Sequence, residues 1–392
     1  MKSNYDVIVV GAGPAGSIAA RTAARAGLGV LLIEKRQEIG DPVRCAEGTG
    51  KEGLAKFIDA DPAWICAEVK SARIYSPDGT FMDLTEKAAG KEVGYVLERK
   101  IFDRALAKDA AKSGAEVQVK TQATGLIIEN GKVCGIKGKH RGDDFEARAK
   151  VVVGADGIES KVGRWAGINT TLKPKDIETC AEFLMTDIDI EPTRCDFFMG
   201  NEIAPGGYVW IFPKGNREAN VGLGMLGSRF TGKHPIEYLH EFVEAKFPEG
   251  KILETIVGAV PASGMLKKLS VDGLVLVGDA GHVSDPITGG GIYNGMMSGK
   301  IAGDVIVEAI KAGDVSAAKL AKYDRDVKAE LGKSLERNYM AKEAIIKVSD
   351  ETMNKVARSL QGIDFDNMSV PGLIKVILTR NPGLFVELAG LF

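Results

Sequence analysis

Tyr5-Asp6-Val7-Ile8-Val9-Val10-Gly11-Ala12-Gly13-Pro14-Ala15-Gly16 and, after an Ala-rich segment, Gly29-Val30-Leu31-Leu32-Ile33-Glu34 set the architecture of this chain. Residues 5–10 read as a buried strand, roughly 14–26 as a helix and 29–34 as the next strand, which makes a β-α-β unit. The turn fits G-x-G-x-x-G. A lone match is weak, but this one follows a strand, opens a helix and leads to an acid at the end of the second strand. Gly11 permits the tight turn, Gly13 lets backbone approach a pyrophosphate, and Gly16 lets helix and strand pack closely. The helix N-terminus offers free N–H groups and the positive end of its dipole. Glu34 can accept hydrogen bonds from a ribose diol and disfavours a 2′-phosphate. The bland alternative is a glycine-rich turn with no ligand, and the context speaks against it.

The fingerprint alone does not separate NAD from FAD. Three later segments favour FAD. Gly278-Asp279-Ala280-Gly281-His282 follows the apolar run Leu274-Val275-Leu276-Val277, and an Asp there can hold a ribityl hydroxyl. Pro286-Ile287-Thr288-Gly289-Gly290-Gly291-Ile292 opens a helix whose N–H groups can stabilise negative charge on a reduced flavin. Gly154-Ala155-Asp156-Gly157 ends the strand Val151-Val152-Val153 in mid-chain. A second match, Gly222-Leu223-Gly224-Met225-Leu226-Gly227, lies in an alternating stretch with no prompt helix after it, so it reads as strand.

Between these segments, residues 99–113 read as helix and 115–121 and 125–129 as strands. Asn130-Gly131 marks a hairpin turn into 133–137. Residues 180–227 alternate and carry many aromatics, so they read as sheet. A helix near 235–247, another from about 290 to 312, and a mostly helical stretch from about 318 to the end follow. The reading is an α/β chain: a doubly wound, Rossmann-like FAD-binding domain from residues 1–70, 95–175 and 270–320, and a sheet-rich substrate domain from 71–94 and 176–269. Residues 321–392 form a helical C-terminal region.

Bulk properties exclude several other functions. The 392 residues carry 51 Lys plus Arg against 53 Asp plus Glu, and a formal net charge of -2 gives no reason to expect nucleic-acid binding. Cys45, Cys66, Cys134, Cys180 and Cys195 are scattered and odd in number, and the four histidines lack ligand spacing. Neither a disulfide framework nor a metal site is expected. The N-terminus enters a strand without a signal-peptide pattern, and no apolar run reaches transmembrane length. The expectation is a cytoplasmic protein that can touch the inner face of the cell membrane.

The fingerprint, Pro42-Val43-Arg44-Cys45-Ala46-Glu47-Gly48, Tyr208-Val209-Trp210-Ile211-Phe212-Pro213-Lys214-Gly215 and the run from Gly278-Asp279 to Gly291-Ile292 resemble the geranylgeranyl reductase family, on the flavoprotein monooxygenase-like fold. The likeness is strongest to its archaeal, glycerophospholipid-directed branch. It implies FAD contacts at Ala15, Glu34, Cys45, Ala46, Gly48, Arg99, Ala123, Asp279, Gly291 and Ile292, with Arg44 beside them. It also implies saturation of isolated double bonds of geranylgeranyl chains in archaeal membrane ether-lipid precursors. With no second dinucleotide fold, the electron donor is open between NAD(P)H and a ferredoxin-type protein.

An isolated alkene is not polarised, so its reduction needs a hydride, a proton and a dry apolar slot. Cys45 is the candidate catalytic residue, able to position substrate, relay a proton or tune the flavin; the alternative is a small Cys that only packs. Tyr208, Trp210 and Phe212 alternate and share one face, as an aromatic wall for a lipid chain or as ordinary sheet core. Leu373–Leu378 and Leu384–Leu388 suit a lid or surface-binding helix, or plain packing. Rival readings on the same residues are an FAD monooxygenase or halogenase, and a flavin electron carrier without an organic substrate.

Overall fold

The computed structural model describes residues 1–85 and 94–363, with 376, 379–381 and 383. The two tail segments expected as a lid lie outside the described residues, apart from Val376. Backbone contacts divide the chain into two units. The first comprises 1–43, 99–172 and 261–339, and the second comprises 44–98, 173–260 and 340–392. Residues 44–70, grouped above with the dinucleotide half, fall in the second unit.

In the first unit, an eight-stranded sheet has six strands in the order Ser270–Val271, Leu274–Leu276, Asp143–Gly154, Asn4–Val10, Val30–Ile33, Glu116–Gln118, with Lys132–His140 and then Thr121–Glu129 branching from Asp143–Gly154. The strand Asn4–Val10 pairs in parallel with Val30–Ile33 on one side and Asp143–Gly154 on the other. Strand order therefore reverses at its carboxyl end, the point where doubly wound sheets bind ligands. Its residues read as a continuous apolar run because both faces are covered. Val7 and Val9 face one core with the helices Pro14–Arg25 and Ile292–Lys311, while Ile8 and Val10 face another with Val162 and Ile168. The Thr121–Glu129 and Lys132–His140 hairpin turns on Asn130 and Gly131, at φ +50 and +79. Those left-handed values are what an Asn-Gly turn supplies. Ala123, expected in the gap between two strands, lies within Thr121–Glu129 opposite Gly138, because that strand begins four residues earlier than its apolar part suggests.

The second unit is built on a seven-stranded sheet with Ile177–Thr186, Glu218–Leu226 and Tyr208–Gly215 side by side, followed by Arg194–Met199. Alternation sends Ala181, Phe183, Met185, Val209, Ile211, Val221, Leu223 and Met225 to one face, where the helix Pro235–Lys246 covers them. Gly222 and Gly224 lie in the strand Glu218–Leu226, as the alternation predicts. Beyond residue 318 the described chain is helical through Ala317–Val327, Lys333–Ile345 and Asp350–Leu360.

Candidate active site

The glycines of the fingerprint differ in what they permit. Gly11 sits at φ +111, and a Cβ on it would lie 2.2 Å from the Ala155 carbonyl oxygen. One on Gly16 would meet the Gly11 carbonyl oxygen at 1.9 Å. Gly13 is the N-cap of Pro14–Arg25, in extended backbone, and a Cβ there would meet nothing within 4 Å. That open space lies over a helix N-terminus with no side-chain cap and no acid in its first turn. The N–H groups of a helix's first turn lack intrahelical partners, and since Pro14 has none this turn offers those of Gly13, Ala15 and Gly16 as a ready anion site.

Around this turn the chain assembles the other expected residues of the first unit. Glu34 follows the strand Val30–Ile33, and its carboxylate accepts from the N–H of Ala12 at 3.2 Å and of Arg36 at 3.0 Å. Ala15 meets both later segments: a Cβ on Gly278 would lie 2.9 Å from the Ala15 Cβ, and one on Gly295 would lie 3.5 Å from it. Gly291 is the N-cap of Ile292–Lys311, again with no side-chain cap, and a Cβ on it would come 3.2 Å from Asp279 Oδ1. Ile292, the first residue of that helix, is buried. Burial pushes the Asp279 carboxyl up, opposed by a 2.5 Å hydrogen bond from Ser284 Oγ and by the charge of Arg99. Arg99 opens the helix Arg99–Lys112 and forms a two-pronged pair with Asp103 at 2.7 and 2.8 Å. Ala123 is reached through Thr121, whose N–H donates to the Glu34 carbonyl at 2.8 Å.

Asp156, in the turn that backs Gly11, adds an observation that the sequence did not supply. Its Oδ2 accepts from the Val162 N–H at 3.0 Å, while Oδ1 is buried without a partner among the described residues. Burial raises this carboxyl too. An orphaned buried oxygen beside an open phosphate cradle is what a site built for a bound group looks like.

Arg44, Cys45, Ala46 and Gly48 belong to the second unit, beside the aromatic face. Arg44 is exposed and Cys45 half-buried. The Glu47 N–H donates to Cys45 Sγ at 3.2 Å. Glu47 is buried at φ +73, and its carboxylate holds Lys214 Nζ at 2.5 Å and Asn220 Nδ2 at 2.7 Å. Asn220 also donates to the Ala46 carbonyl at 3.3 Å, and Lys214 reaches Glu98 at 3.1 Å. Burial pulls the Lys214 ammonium down, but Glu47 outweighs it and holds the pKa above the ordinary lysine value. A Cβ on Gly48 would lie 2.8 Å from the Phe212 ring, so that ring lies against the Cys45 turn.

Tyr208, Trp210 and Phe212 do share one face. Phe197, from the neighbouring strand, packs edge-on against Tyr208 and Phe212 with centroids 5.7 and 5.5 Å away. Trp210 Nε1 donates to Glu182 Oε2 at 2.8 Å. Sequence reasoning missed Glu47, Lys214, Asn220 and Glu182 as site residues. A signal existed for Lys214, which stands two positions after Phe212 in the same alternation, but pairing across 167 residues leaves no trace in spacing.

A family model described as "FAD dependent oxidoreductase" matches residues 6–201, and one described as "Geranylgeranyl reductase catalytic domain" matches residues 176–260. A digeranylgeranylglycerophospholipid reductase of Methanocella arvoryzae is 73% identical over 100% of both chains. That of Methanosarcina acetivorans is 57% identical over 100% of this chain and 97% of its own. Among solved structures, a geranylgeranyl bacteriochlorophyll reductase-like protein from Thermoplasma acidophilum superimposes with a TM-score of 0.93 at 43% identity, over 100% of each chain. A flavin-dependent brominase matches at a TM-score of 0.72 and 20% identity, over 97% of this chain and 100% of its own, which is a likeness of fold alone. With its dinucleotide cradle, its aromatic sheet face and relatives of this identity over their full length, the chain belongs to the FAD-dependent digeranylgeranylglycerophospholipid reductase family.

Proposed function

We propose that the chain saturates isolated double bonds of geranylgeranyl chains in archaeal membrane ether-lipid precursors. The observation that carries this reading is the aromatic face of the second unit. Tyr208, Trp210, Phe212 and Phe197 form it inside the stretch matched by the reductase catalytic model, and the Cys45 turn lies against it. Aromatic rings packed edge-on offer an apolar, weakly directional surface, which suits a hydrocarbon chain.

FAD fits the first unit. The open space at Gly13 and the uncapped start of Pro14–Arg25 accept the pyrophosphate, Glu34 holds the ribose, and Asp279 takes a ribityl hydroxyl. Arg99 supplies positive charge, Ala123 a small neighbour for adenine, and Gly291 with Ile292 the N–H groups of a second helix start. When bound and reduced, FAD supplies the hydride equivalent that alkene saturation requires. Cys45 positions the alkene, with the Glu47 N–H fixing the direction of its sulfur.

Electrons arrive from NAD(P)H or a ferredoxin-type protein. No helix among the described residues is long and apolar enough to cross a membrane, and the lipid is reached by peripheral contact. The test is oxygen-free incubation of the reduced protein with a geranylgeranylated glycerophospholipid. The reading expects products heavier by two hydrogens per double bond. A hydroxylated or halogenated product formed only with oxygen points to the monooxygenase or halogenase reading instead.

A further inference from the structure

Two buried acids stand on the strand Ile177–Thr186. Glu178, Cys180 and Glu182 alternate along the strand Ile177–Thr186 and leave its helix-covered face for the face that carries the aromatic residues. Glu182 is 3% exposed. In the sheet it stands opposite Gly222, and Gly222 in turn stands opposite Trp210, so the three form one row across three strands. A Cβ on Gly222 would lie 2.2 Å from Trp210 Cζ2, so the glycine makes the room in which the indole crosses to the carboxyl group. Trp210 Nε1 donates to Oε2 at 2.8 Å. The other oxygen, Oε1, is buried and has no partner among the described residues.

This arrangement is poor for an ionised carboxylate. An indole N–H is a single neutral donor, and Lys214, the cation whose charge reaches Glu182, is already held by Glu47 and Glu98. A buried carboxyl with one neutral donor stays protonated unless it is paired. The surrounding groups agree. Burial raises the Glu182 pKa well above the ordinary carboxylate value, Glu47 raises it further, and the Trp210 hydrogen bond and Lys214 draw it down. The ionisable groups that share its strand and point the same way, Glu178 and Cys180, are also raised, each chiefly by burial. A neutral acid with one oxygen fixed and the other free can act as a general acid.

We infer that Glu182 is the proton donor for alkene saturation, with Oε1 directed at a double bond held on the aromatic face. The inference rests on the reading of the chain as a prenyl-lipid reductase. The O–H bond of Glu182 breaks and a C–H bond forms at one alkene carbon. The other carbon receives the hydride equivalent that the reductase chemistry already provides. The π bond is consumed, and Glu182 is left as a carboxylate until it regains a proton from solvent. Trp210 is a positioning residue: it fixes the carboxyl plane and tunes its acidity.

The test is single-turnover reoxidation of the reduced holoenzyme by a geranylgeranylated glycerophospholipid without oxygen, across pH. Glu182→Gln keeps the size and the acceptor for the indole but is not an acid. It is expected to retain FAD and to bind the lipid as wild type does, while reduction slows by about 100-fold or more. Trp210→Phe removes the donor, which raises the pKa of Glu182. The protonated form is the active one, so the alkaline fall in rate moves to higher pH, a displacement that a purely packing role would not produce. Should Glu182→Gln fail to load FAD, the Trp210→Phe profile decides. Turnover of loaded Glu182→Gln within a few-fold of wild type, or an unmoved alkaline limb in Trp210→Phe, overturns the inference while leaving the reductase reading intact. Failure of the wild type to be reoxidised overturns that reading itself.

Discussion

The backbone N–H of Glu47 points at the sulfur of Cys45 from 3.2 Å, and the carboxylate of the same Glu47 is pinned by Lys214. One residue therefore couples the candidate thiol to a buried ion pair, through a backbone held at φ +73. Positive φ at a non-glycine residue persists only where the surroundings over-determine it. Here Lys214, Asn220 and Glu98 do so. Cys45→Ala leaves this framework intact. The variant is expected to hold FAD at wild-type occupancy and to lose alkene reduction by about 10-fold or more. Normal turnover of a fully loaded variant removes the thiol from the reaction.

Removing Lys214 leaves a carboxylate in the interior with no cation. The side chains of Lys214 and Glu47 are 7% and 2% exposed, so solvent cannot compensate. Lys214→Met is expected to cost about 3–5 kcal/mol of stability, read from denaturant midpoints. Lys214→Met combined with Glu47→Gln should recover a large part of that loss, because the stranded charge is gone. Equal costs for the single and double variants contradict this.

Glu178 makes stability depend on pH. Burial raises its pKa to about 7, against the opposing charge of Lys342. A folded-state pKa above the unfolded value means that the folded protein keeps a proton which the unfolded chain has lost. Stability therefore falls as pH rises from about 4.5 to about 7 and then levels off. Glu178→Gln cannot ionise. Its melting temperature should match or trail that of wild type near pH 4.5 and exceed it above pH 7, by an amount equivalent to up to about 3 kcal/mol. A gain that is constant across pH assigns the effect to packing rather than to ionisation.

Gly11 and Gly13 separate folding from cofactor binding. At Gly13 the backbone suits any residue and a Cβ meets only open space, so Gly13→Ala is expected to leave apoprotein stability unchanged or raised by up to about 1 kcal/mol. The same methyl fills the space assigned to pyrophosphate, so FAD affinity should fall. Gly11→Ala places a Cβ 2.2 Å from the Ala155 carbonyl oxygen at φ +111, and the apoprotein itself should be destabilised. Melting curves with and without added FAD distinguish the two. Equal losses of fold in both variants contradict the assignment.

Much of the first unit is legible in the sequence because its signals are local. The fingerprint, the acid that follows it, the Asn130-Gly131 turn and the Gly278-Asp279 segment each carry their meaning within a few residues. The second unit is less legible. Alternation puts Tyr208, Trp210 and Phe212 on one face and exposes Gly222–Gly227 as no dinucleotide turn, but it assigns no chemistry to Glu182. That residue becomes informative only through the cross-strand row with Gly222 and Trp210. Glu47 likewise appears in a recognisable segment, yet its partner Lys214 comes from the far end of another. Burial and ion pairing are products of tertiary packing, and neither has a period in the sequence. The start of the strand Thr121–Glu129 was obscured for a related reason: its first residues are polar or small and are drawn into the sheet by pairing with Lys137–His140.

The most direct test of the account counts electrons. The purified protein, reduced without oxygen, is mixed with a geranylgeranylated glycerophospholipid while flavin absorbance and remaining double bonds are followed together. The account predicts one two-electron flavin reoxidation for each double bond lost. Flavin that stays reduced in the presence of the lipid, or that reoxidises while every double bond survives, contradicts it.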